Sequence, residues 1–253
     1  MAHFNYSGSV FPIREDLKRA YKKYWQELAK PGCWWLGAER IAIAQETRNA
    51  ADCSYCSERK QALSAYQMNG NHDGGISSEY VVSGLDEWTV DAIHRVVTDQ
   101  SRITQAYIDG LDSVGLNVEK YVELVGVAVT VFSIDEFNRA LGLPLELLPK
   151  AISGGVSGYF PSQAMIDIGF VPMLPSDGAV DKEADLWTGW APNVVRALSV
   201  VPDAVRSWID VSAAQYLSMG DLVRLKEDES RAIDRPQMEL VAGRVSAINE
   251  CFY

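Results

Sequence analysis

Apolar side chains recur three and four residues apart along most of this chain, which is the period of an amphipathic helix. Over residues 14–30, Leu17, Tyr21, Tyr24 and Leu28 mark one face, and Pro31-Gly32 stops the run. A second helix is expected over about 38–51 and a third over about 53–66. Residues 69–75, NGNHDGG, have loop composition. The helical period returns over 86–98 through Trp88, Ala92, Ile93 and Val97, and continues over 103–111. After Gly115, residues 118–141 predict one long helix closed by Gly142, a residue suited to a helix C-terminus. The alternating Val125, Val127, Val129 and Val131 would also fit a strand. The apolar spacing continues through Phe132, Phe137 and Leu141, which favours helix.

Residues 143–192 break the pattern. Gly154, Gly155, Gly158, Gly169, Gly178 and Gly189 alternate with Pro144, Pro149, Pro161, Pro172, Pro175 and Pro192. Such a stretch is longer than loops inside one domain usually are, although Tyr159, Phe160, Phe170, Trp187 and Trp190 give it side chains that can pack. Helical signals resume over 193–198 and 202–217, where Pro202 suits a first turn, and a last helix is expected from Arg235-Pro236 onward. The expected architecture is all-α: a helical module over 1–150, an irregular connector over 151–192 and part of a second module over 193–253.

Charge narrows the function classes. The formal net charge of −11 repels phosphate, so nucleic acid and anionic membrane surfaces are not expected partners. The most apolar run, 122–132, is interrupted by Glu123 and is too short to span a bilayer. The first sixteen residues show no basic stretch followed by an apolar one, as a secretory signal would require. The four cysteines are too few for a disulfide scaffold. The expected compartment is therefore the cytoplasm, where a Cys-x-x-Cys pair such as Cys53 and Cys56 points to redox chemistry or metal binding.

A weak internal repeat sharpens this reading. Residues 38–56 (AERIAIAQETRNAADCSYC) and 238–253 (MELVAGRVSAINECFY) each open on a glutamate, Glu39 or Glu239. Each has an acidic residue before a cysteine and a tyrosine two after it: Asp52, Cys53 and Tyr55 in one, Glu250, Cys251 and Tyr253 in the other. The spacing from Glu239 to Cys251, the segment RVSAINECFY and the order of the flanking helical segments resemble the AhpD-like alkylhydroperoxidase and carboxymuconolactone decarboxylase superfamily. That resemblance implies an all-helical module with a Glu, eleven residues, Cys-x-x-Cys, and a histidine four residues after the second cysteine. It also implies dithiol-disulfide reduction of small organic hydroperoxides, with Cys56 attacked by peroxide and Cys53 resolving, no resident cofactor, an external dithiol donor and assembly as a homo-oligomer. Here Lys60 stands where that histidine is expected and Ile41 where the glutamate is expected, flanked on the same helix face by Glu39 and Glu46. The decarboxylase branch lacks its expected base. The second copy ends at Tyr253, one residue before a second cysteine; an engineered fragment, a natural truncation or an in-frame UGA codon for selenocysteine would each produce that.

The residues expected to carry chemistry are therefore Cys56 and Cys53, with Glu46 and Lys60 beside them. Glu239 and Cys251 form a possible second site, and His94 is a possible base. A thiol at a helix start is favoured as thiolate by roughly 0.3–1 kcal/mol, and Arg59 and Lys60 are expected to lower its pKa further. Each assignment has a plainer competitor. Glu39 and Glu46 would serve equally as surface partners of Arg40, Arg48 or Lys60. His94, among apolar neighbours, fits a satisfied core histidine, and His72 a solvated loop residue. Cys33 beside Trp34-Trp35 fits a packing residue, and Cys251 an inert terminal thiol. A zinc site would need two further ligands from Cys33, His72, His94 or Cys251, none of which shows paired spacing. The alternative functions are a general dithiol-disulfide oxidoreductase and a non-catalytic structural or regulatory oligomer.

Overall fold

The computed structural model describes residues 3–64, 68–72, 84–224 and 231–248. Among them the chain is all-α, with ten α-helices, two short 3-10 turns and one isolated antiparallel bridge between Met165 and Met173. No described helix is long and apolar enough to cross a membrane.

Helix α1 (Glu15–Leu28) carries Glu15 and Asp16 in its first turn, where they complement the helix dipole. It buries Leu17, Ala20, Tyr21, Tyr24, Trp25 and Leu28. In α2 (Gly37–Ala51) the Glu39 carboxylate accepts the Leu36 backbone N–H at 2.7 Å, so Glu39 secures the start of the helix. Helix α3 (Ser54–Gln61) is shorter than the 53–66 expected, and its N-cap is Cys53. Its end is fixed from outside: Arg102 donates to the carbonyls of Arg59, Lys60 and Ala62, each at 2.9 Å, satisfying carbonyls that lose their helical partners there.

Asp86 caps α4 (Glu87–Thr98) through Thr89 N–H, and Thr104 caps α5 (Gln105–Ser113) through Tyr107 N–H. The period over 86–98 predicts Trp88 inward, but it is 43% exposed; Val90, Ala92, Ile93 and His94 form the buried face instead.

Helix α6 (Val118–Ala140) settles the helix-or-strand ambiguity of the valine run. Leu124, Val127, Val131 and Ile134 are buried at helical spacing, whereas Val125 and Val129 are only partly covered. Asn117 caps its start. At its end Gly142, at φ +66°, donates to the Arg139 carbonyl and Leu143 donates to that of Asn138, the pairing that closes a helix through a left-handed residue.

Helix α6 is the axis of the molecule, packing on α2, α4 and α8 (Pro202–Gln215). One core joins α1, α2, α4, α5, α6 and α8, and Val211 and Ala214 of α8 belong to it. Residues 143–192 contain no α-helix, yet they are bound in place. Ile152 N–H donates to Ala29 O, Gly158 N–H to Cys33 O, and Trp25 Nε1 to Leu147 O. Further on, Leu174, Leu186, Trp187 and Ala191 form a second core with Cys33, Val122, Val195, Leu198 and Val205. Short α7 (Asn193–Arg196), α9 (Met219–Arg224) and α10 (Arg235–Ile248) complete the described helices, and α10 buries Met238.

Candidate active site around Cys53 and Cys56

Three helices and one loop bring the chemistry together. Helices α2 and α4 lie along one another and α3 packs on α4. Glu46 of α2 and His94 of α4 thereby meet beneath the start of α3. His94 Nε2 lies 2.7 Å from Glu46 Oε1, and its Nδ1 lies 3.1 Å from Cys56 Sγ. With Glu46 ionised, Nε2 carries the ring proton and Nδ1 presents its lone pair to the sulfur. All three side chains are buried: Glu46 at 3% exposure, His94 and Cys56 at 0%.

His72, from the loop after α3, reaches the same place from the other side. Its Nδ1 is 3.4 Å from Cys56 Sγ and 3.8 Å from Cys53 Sγ, and its Nε2 is 3.1 Å from Asp91 Oδ1. Its ring centroid stands 4.0 Å from that of His94. Asp91, one helical turn before His94 on α4, also accepts from Arg59 (2.5 Å), Arg95 (2.7 Å) and Tyr107 OH (2.9 Å). Burial alone would raise the Asp91 carboxyl, but the hydrogen bonds of His72 and Arg95 and the charges of Arg95 and Arg59 hold it well below the usual carboxylate range. The Arg59 guanidinium, 1% exposed, lies within 3.7 Å of Cys56 Sγ and stacks over Tyr55.

The electrostatics depart from the expectation of an acidic thiol. Burial pushes the Cys56 thiol up to about 12, with Cys53 adding to the rise and the Arg59 charge opposing it. Arg59 is already paired with Asp91, and Lys60 is exposed at the end of α3, its carbonyl taken by Arg102. The cationic help anticipated from these two residues is therefore outweighed by desolvation. The same burial lowers His94, against the opposing pull of Glu46, and so favours a neutral imidazole.

The structure thus unites Cys53, Cys56, Glu46 and His94, and leaves Lys60 outside the cluster. Glu39 secures the start of α2. Cys33 is buried in the second core. Glu239 is exposed and paired with Arg235 on its own helix, and Cys251 lies outside the described residues. Arg59, expected near the cysteines, does lie beside Cys56 but is paired with Asp91; His72, expected to be solvated, and Asp91 are additions of the structure. Asp91 and His94 share a helix face by their spacing of three, which is a readable signal. Nothing in the spacing of His72 announces its return to the cysteines. The chain matches no family model, no curated protein and no solved structure.

Proposed function

We propose that this chain is a thiol-dependent oxidoreductase of the AhpD-like kind, reducing small organic hydroperoxides through a dithiol-disulfide cycle of Cys53 and Cys56. The observation that carries the reading is the buried line Cys56 Sγ, His94 and Glu46, with steps of 3.1 and 2.7 Å. A thiol, a neutral imidazole and an orienting carboxylate in that order form an activated-nucleophile arrangement. His94 takes the part of the histidine expected where Lys60 stands, and Glu46 that of the glutamate expected at Ile41.

In the first step His94 Nδ1 accepts the Cys56 proton as the sulfur attacks the terminal peroxide oxygen. The O–O bond breaks, the proton passes to the departing alkoxide, and the products are an alcohol and a Cys56 sulfenic acid. The Cys53 sulfur then attacks Cys56 Sγ, forming the S–S bond and expelling water. An external dithiol reduces the disulfide by exchange and is itself oxidised. Proton transfer in concert with attack suits a thiol that burial keeps protonated. Cys56 is fully buried, and His72, whose side chain is 12% exposed, lies against both sulfurs.

The test is hydroperoxide consumption by the reduced, chelator-treated protein with dithiothreitol as donor. The His94→Ala variant is expected to slow turnover by about 10²–10⁴-fold, the range of general-base contributions, and Cys56→Ser to abolish it. Turnover unchanged in His94→Ala would remove the relay from the mechanism.

A further inference from the structure

The same cluster has a second property that a redox pair does not need. Four side chains, Cys53, Cys56, His72 and His94, each offer one donor atom, and those atoms all lie within 4.8 Å of one another. For zinc–sulfur bonds of about 2.3 Å and zinc–nitrogen bonds of about 2.0–2.1 Å, a tetrahedron has S···N edges of about 3.6 Å and an S···S edge of about 3.8 Å. Three of the four S···N separations here are 3.1, 3.4 and 3.8 Å, and the fourth, Cys53 to His94, is within 4.8 Å. Both histidines offer Nδ1, and both have Nε2 against a buried or part-buried carboxylate, His94 on Glu46 and His72 on Asp91. A carboxylate behind each ligating imidazole fixes its tautomer and aim, and is a recurring feature of metal-bound histidines.

We infer that these four residues form a tetrahedral binding site for a divalent ion of the zinc class. Two thiolates and two imidazoles are a donor set that suits zinc, and two thiolates neutralise its charge in a buried place. Four protein ligands leave no open position for water, so the ion does not act here as a Lewis acid. It ties the loop bearing His72 to α3 and α4.

The binding claim stands on the four donors alone; its consequence for catalysis rests on the proposed redox function. A bound ion occupies both sulfurs, so the loaded chain is the resting form. Oxidation releases the ion: two coordinated thiolates lose two electrons and form the S–S bond. The hydroperoxide takes those electrons and two protons and leaves as alcohol and water, and the zinc departs as a free divalent ion.

Cobalt(II) titration of the reduced full chain tests the site. One cobalt per chain is expected, with thiolate-to-cobalt charge-transfer absorption and the visible bands of tetrahedral cobalt, displaced by one equivalent of zinc. Zinc should also slow alkylation of Cys53 and Cys56 in the native protein. Glu46→Gln, which keeps all four donors, should weaken binding by about 10–100-fold, an effect that a purely structural role for Glu46 would not produce. A reduced chain with its helical circular dichroism intact that develops no cobalt bands overturns the site. So does a tetrahedral spectrum that survives His72→Ala together with His94→Ala. Disulfide formation is read separately, on metal-stripped protein. Cobalt bands without peroxide-driven disulfide uphold the ion site and refute the redox reading; disulfide without cobalt bands does the reverse.

Discussion

Asp135 is 1% exposed and takes two hydrogen bonds from Arg48, at 2.8 and 2.9 Å, while the same guanidinium donates to the Glu146 carbonyl. Removing the cation strands a buried carboxylate, which costs about 3–5 kcal/mol. Arg48→Ala is therefore expected to lower the denaturation free energy by that amount in a urea melt followed by circular dichroism. Arg48→Lys should lose less, since it keeps the charge but not the forked geometry. A loss under 1 kcal/mol for Arg48→Ala would mean that Asp135 finds water or another partner. Single residues were also where the sequence was hardest to read. In the sequence, Glu46 stands with Glu39 on one face of the helix, flanking Ile41. Whether it met a relay or a surface cation depended on the packing of α4, which no local pattern encodes. Lys60 illustrates the converse: its position in a motif was clear, but α3 turns that side chain to solvent.

At the scale of elements, the crossing of α6 and α8 depends on a small residue. A side-chain carbon at Gly126 would meet Ala204 Cβ at 2.8 Å, closer than packed atoms tolerate. Gly126→Val is expected to cost about 1–3 kcal/mol through overpacking, measured as a lowered melting temperature; an unchanged value would show that the two helices separate freely. At the end of α6, Gly142 at φ +66° has open space around it, so Gly142→Ala meets no clash and loses only the left-handed backbone preference, about 1–2 kcal/mol. Helix α6 is legible in the sequence because its hydrophobic period and C-terminal glycine act locally, and α8 because Pro202 marks its first turn. The end of α3 is not, because Arg102, about forty residues further along the chain, holds it.

Over the whole molecule, the expected partition into 1–150, 151–192 and 193–253 meets a continuous fold. Helix α8 places Val211 and Ala214 in the core built by α1, α2, α4, α5 and α6, and residues from 151–192 share a second core with Cys33 and Val122. A fragment of residues 1–150 would expose the faces of α1 and α6 that α8 covers, so it is expected to melt without cooperativity while the full chain shows one transition. A cooperative fragment would restore the modular reading. The all-α class was readable from periodicity. The convergence of His72 and His94 on the cysteine pair was not, since it needs the α2–α4 packing and a loop return that no spacing rule fixes. The redox pairing of Cys53 and Cys56 is the central claim, and peptide mapping after exposure of the reduced, chelator-stripped chain to one equivalent of an organic hydroperoxide tests it. A bridge between Cys53 and Cys56 with Cys33 still a free thiol is expected; Cys53 and Cys56 recovered as unmodified thiols, after a dose that oxidises free cysteine, would contradict it.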